Sequence, residues 1–108
     1  MISKKLLFPV MTLACFLFFA CEVKVPINEM VDAKKNITRA YEVQAERFSP
    51  DNLKEANEHL IRAHDYLRAD NTDKARDEAE AAFDSAEQAI EQSLPLLADE
   101  SLKASQAL

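Results

Sequence analysis

TDKARDEAEAAFDSAEQAIEQS, residues 72–93, decides how this chain folds. Ala75, Ala79, Ala82, Ala86, Ala89 and Ser93 recur at spacings of 4, 3, 4, 3 and 4. On an α-helix those six positions form one narrow strip of small side chains. Phe83 and Ile90 widen the strip on one side, and Asp77, Glu80, Asp84 and Glu87 make a polar stripe opposite it. Small side chains let helix axes come close, so a neighbouring helix must bring the larger apolar groups. The segment upstream has them: Leu53, Ala56, Leu60, Ala63 and Leu67, at spacings of 3, 4, 3 and 4.

The boundaries of these helices are also written in the chain. Ser49-Pro50-Asp51 opens the Leu-bearing helix, with a capping residue, a proline suited to the first turn and an acid at the positive dipole end. Asp70-Asn71-Thr72 makes the turn into the Ala-bearing helix, because these side chains bond to nearby backbone. An earlier helix is expected from an N-cap at Asn28 to about Arg47, its buried face being Met30, Ala33, Ile37, Ala40, Tyr41, Ala45 and Phe48. Pro95 is expected to end or kink the third helix, leaving Leu96, Leu97, Leu102 and Leu108 to a short last one. The expected fold is all-α, an antiparallel three-helix bundle or hairpin arrangement over residues 28–94 with a C-terminal extension over 95–108. Short turns favour antiparallel neighbours and an intramolecular core. An Ala-lined core buries little area, so modest stability is expected.

Composition agrees. The chain has 108 residues, no glycine, no tryptophan and a formal charge of −6. Without glycine, Gly-rich phosphate loops are excluded and tight β-hairpins are disfavoured.

The N-terminus carries an address. Lys4 and Lys5 precede an apolar run, Leu6 to Ala20, which ends at Cys21. This is the layout of a bacterial lipoprotein signal, with residues 1–20 as the signal peptide, Cys21 as the lipidated residue and 21–27 as a tether. Ala20 fits the usual box; Phe18 and Phe19 depart from it, in a way that resembles the relaxed boxes of spirochaetes. Two other readings compete. Cys15 would leave Phe16, Leu17, Phe18 and Phe19 as an exposed apolar tail. An uncleaved anchor of about 15 residues spans only ~23 Å of a ~30 Å hydrocarbon core. Removing the first 20 of the 108 residues leaves 88, and the loss of Lys4 and Lys5 takes the charge from −6 to −8. Acyl chains on Cys21 then hold the protein on the bacterial cell envelope facing the periplasm. In enteric lipoproteins, which this N-terminus resembles, an Asp after the cysteine signals inner-membrane retention, so Glu22 in its place implies the outer membrane. So acidic a chain is repelled by nucleic acid and by anionic headgroups, and with Cys21 acylated no thiol remains for disulfides, metal or catalysis.

The body of the chain offers little chemistry. His59 and His64 are five apart and so about 140° apart on a helix, which is wrong for a metal pair; Glu55, one turn before His59, is its expected partner. The acid run Asp77, Glu78, Glu80, Asp84 and Glu87 reads as a solvated face rather than an acid–base pair. Tyr41, Phe48, Tyr66 and Phe83 are expected to plug the thin core or its ends, with Tyr66, off the Leu53-Leu60-Leu67 seam, as the exposed partner contact. No catalytic, cofactor-binding or metal residue is assigned, and no small-molecule substrate is evident.

Ala33, Ala40, Ala45, the Phe48-Ser49-Pro50 junction, Leu53, Ala56, Leu60, Ala63, Leu67 and the alanines from Ala75 to Ala89 carry a resemblance. The stretch from about Met30 to Ile90 resembles a domain-of-unknown-function family of Ala-rich helical envelope lipoproteins. Leu53 to Ile90 also looks like one tetratricopeptide-type helix pair, without that repeat's Trp and Gly. The resemblance implies an architecture and no agreed activity. The expectation is a non-enzymatic adaptor or scaffold for envelope proteins, with a self-associating coiled-coil lipoprotein as the alternative.

Overall fold

The computed structural model describes residues 25–107. Four helices follow in order: α1 (Ile27–Glu42), α2 (Ala45–Phe48), α3 (Pro50–Arg68) and α4 (Thr72–Gln106). The fold is all-α, and no strand occurs among the described residues.

α4 is the spine. Asn71 caps it, the side-chain oxygen accepting from the Lys74 amide at 3.3 Å. Asp70, just before, takes a left-handed backbone (φ 58), a conformation that Asp tolerates better than most residues. From there the helix runs 35 residues, about 52 Å at 1.5 Å per residue. Ala75, Ala79, Ala82, Ala86, Ala89 and Ser93 are all at 0% exposure, as the seam requires. The break expected at Pro95 is absent, and with it the separate short C-terminal helix; residues 95–106 continue α4. Proline cannot donate to the carbonyl four residues back, but its fixed φ is already helical, and both Glu91 and Pro95 lie on the exposed side of α4.

Helices α1 and α3 flank the seam. Along α4, Glu29 meets Arg76, Asn36 meets Glu87 and Arg47 meets Glu100, so α1 and α2 run parallel to it. Ser49 meets Gln92 and His59 meets Glu78, so α3 runs antiparallel. Successive long helices are thus antiparallel, as expected. One core cluster joins Ile37, Ala40, Ala45, Leu53, Ala56, Ala86, Ala89 and Ile90. A second joins Met30, Ala63 and Ala79 near the turn between α3 and α4.

Two boundaries differ from the reading of the sequence. α1 begins after Pro26, so Asn28 lies inside it, and α1 stops at Glu42 rather than near Arg47. Gln44 adopts a left-handed backbone (φ 61), and α2 starts after it. In an unbroken helix Ala45 would sit about 140° from Ala40; the turn at Gln44 brings Ala45 into the core instead. Ser49 does hold the N-cap position of α3, but its hydroxyl makes no capping bond. It donates to Gln92 Oε1 at 2.7 Å on α4 and accepts from Asn52 Nδ2 at 3.0 Å.

The seam predicts opposite responses at two of its positions. Ala86→Leu should lower unfolding free energy by about 1–3 kcal/mol, through overpacking of the core cluster in which Ala86 has no exposure. Ser93→Ala should raise it by about 1 kcal/mol, because the buried Ser93 Oγ has no partner and alanine removes that cost. Urea melts followed by circular dichroism read both.

Candidate functional site

The structure joins its helices by polar links set on the alanine scaffold. Asn36, buried on α1, donates through Nδ2 to the Phe83 carbonyl at 3.1 Å and to Glu87 Oε2 at 2.8 Å. Glu87 therefore leaves the solvated stripe and serves the α1–α4 interface. On the other flank, His59 Nδ1 lies 2.6 Å from Glu78 Oε2, and Arg62 Nε lies 3.3 Å from the same oxygen. A carboxylate only accepts, so the His59 Nδ1 proton points at Glu78. The 3.0 Å approach of Arg62 Nη2 to that nitrogen is then a close contact without a hydrogen bond. His59 thus pairs across helices with Glu78 rather than along its own helix with Glu55. The hydrogen bond from His59 holds the Glu78 carboxyl below the usual range, burial opposes it, and Arg62 lowers it further.

These links are structural in geometry. His64 is exposed on α3, and among the described residues no group of three or more His, Cys, Asp or Glu side chains is placed to hold a metal ion. Asp77, Glu80 and Asp84 are exposed, as the polar stripe predicts. Glu80 and Asp84, with Glu29 and Asp32 of α1, line a cleft around Phe83.

The uncovered apolar side chains are the other candidate. Tyr66 is half-buried, with the Lys74 ammonium 5.5 Å from its ring centroid; it is a less open contact than the sequence suggested. Tyr41 (44% exposed) and Phe83 (38%), expected to plug the core, face solvent instead. Tyr41 Oη accepts from Asn57 Nδ2 at 3.2 Å across the α1–α3 groove. Ile61, 61% exposed, was not singled out by the sequence. Its signal was there: it falls off the seam that Leu60 and Ala63 share. Beyond the reach of α3, Leu94, Leu96 and Leu102 are exposed on the last turns of α4. Cys21, the assigned lipidation site, and Cys15 lie outside the described residues. Among the described residues no helix is long and apolar enough to cross a membrane.

A family model, Domain of unknown function (DUF4398), matches residues 28–105 of this helical chain. The chain belongs to that family. No curated protein and no solved structure matches it. The DUF4398 match runs from the first turn of α1 almost to the end of α4, so it takes in the residues after Pro95 as part of the same domain.

The His59–Glu78 link gives a pH prediction. The folded pKa of Glu78 lies below its unfolded value of 4.5, so its contribution to stability is complete above about pH 4.5. It is lost as pH falls through the folded pKa. Glu78→Gln should cost about 1 kcal/mol at neutral pH, discounted for partial exposure. It should also flatten the acid side of a stability–pH profile measured by urea melts.

Proposed function

We propose that the chain is a lipid-tethered envelope protein that acts as a non-enzymatic adaptor, presenting a helical surface to a protein partner. Cys21, at the end of a basic then apolar segment, supports the tether; four residues on, the described chain begins at Val25 and enters α1. The apolar side chains that the bundle leaves uncovered, Tyr41 and Ile61 beside the α1–α3 groove and Leu94 and Leu96 on α4, support the surface. Asn36, Ser49 and His59 spend their side-chain hydrogen bonds on joining helices, which favours a structural domain over an enzyme. The tether makes such a surface effective, because holding a weak binder on one membrane raises its effective concentration towards partners there. The outer membrane, seen from the periplasm, is the location that Glu22 favours.

A second reading rests on one observation. From the buried Ile90 onwards, Leu94, Leu97, Ser101 and Ala104 continue a 4, 3, 4, 3 spacing past the core, where Leu94 is exposed. Such a seam suits self-association into a coiled coil. Light scattering on the detergent-solubilised protein separates the two: a monomer favours the adaptor, a dimer or trimer the self-associating form.

The tether is tested by palmitate labelling and intact mass of the membrane-extracted protein. Label and a mass beginning at residue 21, both lost in Cys21→Ala, are the expected outcome. Label retained in Cys21→Ala moves the site to Cys15, and no label in either protein removes the tether.

A further inference from the structure

The net negative charge of the chain is unevenly spread. Carboxylates line the outer side of α4 and its cleft with α1. α1 turns a different side to solvent. At 100° per residue, Ile27, Val31, Lys34, Lys35 and Thr38 share an arc of about 100°. All five are exposed, Ile27 at 61% and Val31 at 45%. The buried residues of α1, Met30, Ala33, Asn36, Ile37 and Ala40, occupy the other side of the helix. Along this arc two apolar side chains come first, the two lysines follow within one turn, and the only carboxylate, Glu42, stands at the far end. Val25, just ahead of α1, is also exposed.

Position gives this face its meaning. Cys21 precedes Val25 by four residues, and four extended residues reach about 14 Å at most. Acyl chains on Cys21 therefore hold the first turn of α1 close to the lipid headgroups. We propose that this face of α1 docks on an anionic bilayer, with Ile27 and Val31 in the interfacial region and Lys34 and Lys35 against lipid phosphates. The inference rests on the tethering at Cys21 proposed above. An amphipathic helix with apolar residues on one side and lysines beside them lies in the plane of such an interface. Two apolar and two basic side chains bind weakly alone, and the tether makes the contact intramolecular. Because α4 runs parallel to α1, docking lays the whole bundle along the membrane. The acidic side of α4 is then turned away from the lipid by like-charge repulsion, and it becomes the surface open to partners.

The test uses the acylated protein in vesicles of phosphatidylcholine with about 30% phosphatidylglycerol. An environment-sensitive dye is placed at Val31→Cys or, as control, at Asp84→Cys; acylation of Cys21 leaves no other thiol in the mature chain. The dye at position 31 is expected to shift to the blue and to be quenched by spin-labelled lipid, while the dye at 84 stays in water. Each lysine near such a surface contributes roughly fivefold in binding. Lys34→Gln with Lys35→Gln should therefore lower the docked-to-free ratio roughly thirtyfold. About 0.5 M salt should also weaken docking, by shortening the screening length. Flotation with the vesicles reads the tether separately. A protein that floats while position 31 stays as wet as position 84 overturns this inference alone. One that does not float overturns the tether and the inference together.

Discussion

Everything in this bundle depends on how closely two helices approach the alanine strip of α4. Five alanines and Ser93, all without exposure, bring no bulk of their own, so Met30 and Ile37 from α1 and Leu53 from α3 must fill the space with Ile90. That arrangement makes a thin core. Leu60 and Leu67 cover it only from partly exposed positions, and Ile61, next in sequence to Leu60, is mostly exposed. The same economy that lets three helices pack in a short chain leaves apolar surface uncovered.

An alanine strip also has a weakness: it is smooth. Sliding a partner helix by one heptad places alanine where alanine was, at little cost in packing, so the seam alone cannot fix the register. The polar links do. Asn36 to Glu87, Ser49 to Gln92 and His59 to Glu78 act at three different heights along α4, and a slip of either flanking helix breaks at least one. Asn36 is the most demanding of them, being buried with its amide donating to both a backbone carbonyl and a carboxylate. A misplaced Asn36 would be a buried donor without a partner, which is far worse than a lost surface contact.

This division of labour explains what could be read from the sequence. The alanine and leucine spacings, the turn at Asp70-Asn71-Thr72 and the Ser49-Pro50 junction are local signals, and each marked its element. The polar links are between residues more than fifteen positions apart, so reading His59 against its own helix suggested Glu55 and missed Glu78. The left-handed turn at Gln44 carries no glycine to announce it; it exists because the core needs Ala45, a demand visible only once α4 is in place. Pro95 gave a true local signal that the helix overrode, on a side of α4 where Glu91 and Pro95 are both exposed. Tyr41 and Phe83 were assigned to the core by their places beside the apolar seams, but a core lined with alanine is too thin to enclose rings at its edge, and both are exposed.

Net charge misleads about such a molecule in the same way. A formal charge of −6 implies repulsion from any anionic surface only if all charges are felt equally. At physiological ionic strength the screening length is about 8 Å, whereas packed helices are 8–10 Å apart between axes. The carboxylates on the far side of α4 therefore stand about a screening length or more behind the exposed side of α1, leaving Asp32 and Glu42 as the acids on α1 itself that lie nearest to it. A surface approached by α1 feels Lys34 and Lys35 at close range and the acidic side of α4 only faintly. The acidic composition and a basic contact face are compatible because the bundle is thicker than the distance over which its charges act.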